Sequence, residues 1–172
     1  IMLVEDSIRS YSSILPNLYK YVLEQSRNFA TEALNAHQRT LRMRGRPKIL
    51  LARSYEEAME IHDKYKDYML GIISDVSFMK EGKKTQNAGF LLCNEFRKYD
   101  KALPVITNSS EASNRTYAEQ TELGFIQKSA KTYSKQLRHL LADTYGSFSY
   151  THLRSHHTVL ALVCRLMLTK KN

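Results

Sequence analysis

Leu70-Gly71-Ile72-Ile73-Ser74-Asp75 is a short apolar run that ends on an acid. Three other segments follow the same plan: Met2-Leu3-Val4 into Glu5-Asp6, Leu103-Pro104-Val105-Ile106 toward Ser109, and Leu123-Gly124-Phe125-Ile126-Gln127 into Lys128. Runs this short and this apolar, separated by helical stretches, read as parallel strands covered on both faces. An open parallel sheet binds its ligands in the crevice at the carboxyl ends of the strands. The pattern therefore predicts that three acids, one hydroxyl and one lysine converge on a single edge.

The segments between these runs are consistent with that reading. From Ser7 to about Met43, Ile14, Leu18, Tyr21, Val22, Gln25, Phe29, Ala33 and Ala36 recur at three- and four-residue spacing, which predicts a long first helix. Pro16 is expected to start or kink it, and Gly45 and Pro47 to end it. Lys48–Ala52 reads as the second strand. Ser54 with Glu57 three residues on is a capping box opening a helix to about Tyr65. Lys80–Asn87 reads as a polar loop, and Phe90, Leu91, Leu92, Cys93 and Phe96 mark a helix to about Tyr99. Shorter helices are expected near Ala112–Glu122 and Ser134–Asp143. Strand and helix alternate five times, the plan of a doubly wound α/β sandwich.

Composition sets the outer bounds. The 172 residues are 42% hydrophobic and 25% charged, suited to one domain with a real core. No apolar stretch approaches the length of a membrane span. Cys93 and Cys164 make neither a disulfide framework nor a metal-ligand spacing, so a reducing, cytoplasmic setting is expected. The opening on a strand-like run suggests a fragment of a longer protein. The net charge of +9 invites a nucleic-acid reading, but its distribution argues against one. Four of the basic residues (Arg154, Arg165, Lys170, Lys171) lie from Ser147 onward, where there is no acid. Arg39, Arg42, Arg44, Arg46 and Lys48 cluster by the end of the predicted first helix, where cations complement its dipole.

Glu5, Asp6 and Asp75 in one crevice repel one another unless a cation neutralises them. A hard divalent ion with oxygen ligands meets that need, and Mg²⁺ fits the description. Such an ion also stabilises a phosphoryl group as it moves to a carboxylate oxygen. Asp75 follows the most continuous strand and is assigned as the nucleophile. Glu5 and Asp6 hold the metal, with the Ser77 carbonyl as a further ligand. Lys128 pairs with the phosphoryl group, and Ser109 donates a hydrogen bond to it.

In that order, on successive strand ends, these residues resemble the response-regulator receiver domain, the phosphoacceptor module of two-component signalling. The resemblance covers about residues 1–146. It implies a flavodoxin-like five-stranded sheet of order 2-1-3-4-5, phosphorylation of Asp75 with Mg²⁺ bound, and a histidine kinase or small phosphodonor as partner. Phe125 matches an aromatic that changes rotamer with Ser109 on activation, and Gly89 a glycine at the start of the third helix. Ser129 and Ser110 depart from the family, which usually has proline after the lysine and Ala or Gly after the hydroxyl. The doubled first helix suggests a surface for a partner domain or a homodimer. With the 41–52 segment, it also resembles receiver-like domains joined to phosphoenolpyruvate synthase or pyruvate phosphate dikinase-type enzymes.

Two other functions use similar parts. A pseudo-receiver would serve assembly alone, and a dehalogenase-type phosphatase would need a second acid where Ser77 stands. Residues 147–172 match none of these families. Ser149–His156 resembles a translated sequencing adapter, so the tail reads as an assembly artefact or as a disordered or helical extension. His152, His156 and His157 share a helical face that could bind a transition metal.

Overall fold

The computed structural model describes residues 1–31, 47–128, 133–139 and 142. The end of the predicted first helix, the arginines of 39–46, Ser129, Cys164 and the tail with its histidines lie outside the described residues.

Five strands form the parallel sheet: β1 (Met2–Val4), β2 (Leu50–Ala52), β3 (Ile72–Asp75), β6 (Val105–Ser109) and β7 (Gly124–Gln127). Their order is β2-β1-β3-β6-β7, which is 2-1-3-4-5 when only these five are counted. β4 (Phe78–Lys80) and β5 (Lys83–Thr85) make a separate antiparallel hairpin after β3. The fold is the doubly wound α/β sandwich expected from the sequence.

Successive side chains of each strand point to opposite faces, and both faces are covered. Met2, Val4, Ile72 and Val105 pack with Ala58 of α2 (Tyr55–Tyr65), with Leu92 and Phe96 of α3 (Ala88–Tyr99), and with Ala118 of α4 (Asn114–Gln120). Leu3, Ile73, Ile106 and Ile126 face the other way. They pack on Ile14, Leu18 and Val22 of α1 (Ile8–Thr31) and on Leu137 of α5, which covers 133–139. This double burial explains why the strands read as continuous apolar runs rather than alternating ones.

Local details refine the sequence reading, and the second and third of them differ from it. α1 starts at Ile8 and runs through Pro16; the ring is exposed, so water can serve the carbonyl that loses its N–H partner. At α2, Ser54 Oγ accepts from Glu57 N at 3.2 Å, but Glu57 Oε2 accepts from Arg53 N at 2.7 Å instead of from the cap residue itself. Most of the expected polar loop is the β4–β5 hairpin. Its two turn residues, Glu81 (φ 51°) and Gly82 (φ 72°), both take positive φ, the geometry that matches strand twist in a two-residue hairpin. Glutamate is an unusual first residue for such a turn, and three lysines in six strand positions masked the β signal.

The hairpin is fastened to α2. Glu81 N donates to Glu56 Oε1 at 2.8 Å, Lys80 Nζ lies 4.5 Å from the centre of the Tyr55 ring, and Met79 bridges to Ser54. No helix among the described residues is long and apolar enough to cross a membrane.

Candidate functional site

Strand parity brings the charged groups together. Asp75 lies two residues beyond Ile73, Glu5 two beyond Leu3, and Lys128 two beyond Ile126. All three therefore continue the sheet face that packs on α1 and α5. Register aligns the strand ends: Val4 is paired with Ser74, Asp75 with Asn108, and Ser109 with Gln127. The carboxylates of Glu5, Asp6 and Asp75 each place an oxygen within 4.8 Å of the others. Lys128 Nζ sits 2.7 Å from both Glu5 Oε2 and Asp75 Oδ2.

The remaining carboxylate oxygens are held by backbone. Ser7 N, at the entry to α1, donates to Glu5 Oε1 at 3.3 Å, and Val76 N donates to Asp75 Oδ1 at 2.8 Å. Asp6 is only half-buried, and the exposed Lys84 ammonium lies 3.9 Å from its Oδ2. A cavity of about 390 Å³ opens beside it, lined by Asp6, Arg53, Ser54, Glu57 and Met79.

Burial, and then the nearby Asp75 charge, push Glu5 up to about 7, although Lys128 pulls the other way. Burial acts to lower Lys128, but the charges and hydrogen bonds of Asp75 and Glu5 outweigh it and leave the ammonium above its ordinary value. Fully ionised, the cluster has three carboxylates against one ammonium. The donor set is all hard oxygen and the excess charge is that of a dication, so these residues could hold a divalent metal such as Mg²⁺. Its binding has to remove the proton that Glu5 holds below neutrality. Affinity for Mg²⁺ is therefore expected to rise about tenfold from pH 6 to pH 8. Calorimetric titration at the two pH values checks this, and a flat profile would remove Glu5 from the ligand set.

The other residues singled out by sequence lie nearby in different ways. Ser109 stands at the same edge and its carbonyl accepts from Lys128 N at 2.8 Å. Its hydroxyl oxygen accepts from Glu111 N at 3.1 Å and from Asn114 Nδ2 at 2.8 Å. Phe125 packs against the opposite core with the Arg115 guanidinium 5.3 Å from its ring centre. Ser77 is half-buried in the turn between β3 and β4. Gly89 donates its N–H to Val76 O at 3.0 Å, so α3 begins directly on the strand that carries Asp75.

Sequence reasoning missed two residues on the buried side of the cluster. Asn108 is buried on β6 and its Nδ2 donates to Tyr133 OH, on α5, at 3.2 Å. Both hid in polar stretches; the available signal was that Asn108 falls two residues after Ile106, on the same face as Asp75. Comparison with family models, with curated proteins and with solved structures finds no match for this chain.

Proposed function

We propose that the chain is a phosphoacceptor domain of the receiver type, in which Asp75 takes a phosphoryl group from a phosphohistidine of a partner kinase or from a small acyl phosphate. The observation that supports this most directly is Lys128 Nζ placed 2.7 Å from both Asp75 Oδ2 and Glu5 Oε2, within a cluster of three acids. An ordinary structural ion pair needs one acid, and the third carboxylate adds repulsion with no structural return.

In this reading an Asp75 carboxylate oxygen attacks phosphorus. The P–N bond of the donor imidazole breaks, its electron pair stays on nitrogen, and an acyl phosphate forms on Asp75. Lys128 turns from the carboxylate to the new phosphoryl oxygens, keeping Glu5 as its second partner. Both bonds to Ser109 use its oxygen as acceptor, so its own proton can serve a phosphoryl oxygen. Bound at Glu5, Asp6 and Asp75, Mg²⁺ would neutralise the negative charge that gathers on the transferring group. Glu5 and Asp6 hold the acidic pocket, and Ser77 supplies a nearby backbone carbonyl. The output is a change at the face carrying Ser109 and Phe125, in a regulatory module of a larger signalling or phosphoenolpyruvate synthase-like protein.

Incubation of the full chain with acetyl phosphate and Mg²⁺ is expected to add one phosphoryl group, seen as an intact-mass shift that hydroxylamine removes. Asp75→Asn is expected to abolish it. Absence of the adduct, with beryllofluoride also without effect, favours the assembly-only reading. Continuous hydrolysis of a generic phosphate ester dependent on Asp75 favours the phosphatase.

A further inference from the structure

Beneath the acid cluster lies a polar couple that the proposed chemistry does not use. Asn108 is 1% exposed and is the register partner of Asp75 in the neighbouring strand. Its Nδ2 donates to Tyr133 OH at 3.2 Å, while its Oδ1 is buried with no hydrogen-bond partner. Turning the amide over would exchange which end meets the phenol and still leave the other end unpaired. A buried amide that cannot satisfy both ends in one arrangement has two close alternatives, the property a coupling element needs.

Tyr133 lies within electrostatic reach of the site. Burial, and then the charge of Glu5 with a smaller contribution from Asp75, hold its phenol above the ordinary value, and the neutral hydroxyl is free to donate or accept toward the Asn108 amide. It also belongs to α5, whose Leu137 is buried against Ile14 and Leu18 of α1. Asn17 Nδ2 of α1 donates to Ser134 Oγ at 3.3 Å, and Arg138 pairs with Glu24. One chain of contacts therefore runs from the strand beside Asp75, through Asn108 and Tyr133, into the α1–α5 layer.

We propose that Asn108 and Tyr133 couple the charge carried at Asp75 to the packing of α5 against α1, by a route separate from Ser109 and Phe125. The inference rests on the phosphoacceptor reading for the source of the charge change. A ligand-induced shift requires contacts that differ between the two states, and the Asn108 amide supplies them.

Hydrogen exchange over 133–139 in the full chain tests it, with and without beryllofluoride and Mg²⁺. Loading is expected to change exchange in α5 by about two- to tenfold, the range that one net hydrogen bond supports. Tyr133→Phe and Asn108→Leu are each expected to remove most of that change while still taking up a phosphoryl group from acetyl phosphate. A full α5 response in both variants overturns the coupling. Asp75→Asn, which deletes the charge without any phosphodonor, provides the independent arm: α5 exchange should shift in the parent chain and not on the Tyr133→Phe background. If neither reagent loads the parent chain, the phosphoacceptor reading fails, and this last pair still decides the coupling by itself.

Discussion

Lys128→Met is expected to lower the folding free energy by about 3–5 kcal/mol at pH 8 in the absence of divalent cations. Its ammonium is the only cation within hydrogen-bond distance of the Glu5 and Asp75 carboxylates among the described residues, at 2.7 Å from each. Glu5 is fully buried, so its charge has no route to water once the lysine is gone. The loss should depend on pH in a definite direction. Glu5 has a folded-state value of about 7, above its ordinary 4.5. Its contribution to stability is therefore complete below the unfolded value and is lost as pH rises through the folded one. Deleting the ammonium removes the group that opposes that rise, which extends the loss and leaves the variant closest to the parent near pH 5, where Glu5 is protonated in either chain. Urea denaturation of both chains at pH 5 and pH 8, in chelator, measures this; equal losses at the two values would show that the charges are not the cause. Added Mg²⁺ should recover part of the deficit at pH 8 if the carboxylates hold it.

The second expected result is steric. Gly89→Ala puts a methyl carbon 2.0 Å from Asp75 O, 2.9 Å from Val76 Cα and 3.0 Å from Asp75 C. All three are backbone atoms of β3 and its continuation, so no side chain can rotate aside. α3 has to lift, and with it the buried Phe90, Leu92, Cys93 and Phe96. A cost of about 3 kcal/mol or more is expected, at the upper end for overpacked cores. Because the clash falls on Asp75 itself, phosphoryl uptake should fall even below the melting temperature. Gly82→Ala provides the contrast. There a Cβ meets nothing within 4 Å, and only the positive φ of 72° opposes it, which costs about 1 kcal/mol. Comparable melting temperatures for the two variants would refute the account of Gly89.

The parts of this molecule that were legible in sequence are those where one physical rule acts alone. Strands buried on both faces must be apolar throughout, so Met2–Val4 and Ile72–Ile73 announced themselves, and the residue that ends each run had to fall on the sheet edge. The nearness of Glu5, Asp6, Asp75 and Lys128 followed from that single inference. The hairpin was not legible because its pairing depends on turn geometry at Glu81 and Gly82, which the residue types barely signal. Asn108 and Tyr133 were missed for a different reason. A buried amide in a strand looks like a loop residue until its partner from α5 is placed beside it, and that contact spans 25 residues of sequence. Ser109 was located at the correct edge, yet its engagement by Asn114 depends on the local path of the chain before α4, which no periodicity encodes.

The three fastenings of the β4–β5 hairpin to α2 and its cap have a consequence for the cavity beside Asp6. Backbone, ring and side chain pin the hairpin at three points, and Met79 and Ser54, which make one of them, also line that cavity. On the phosphoacceptor reading, a group slender enough to pass the cavity as it stands is the one expected to reach Asp75.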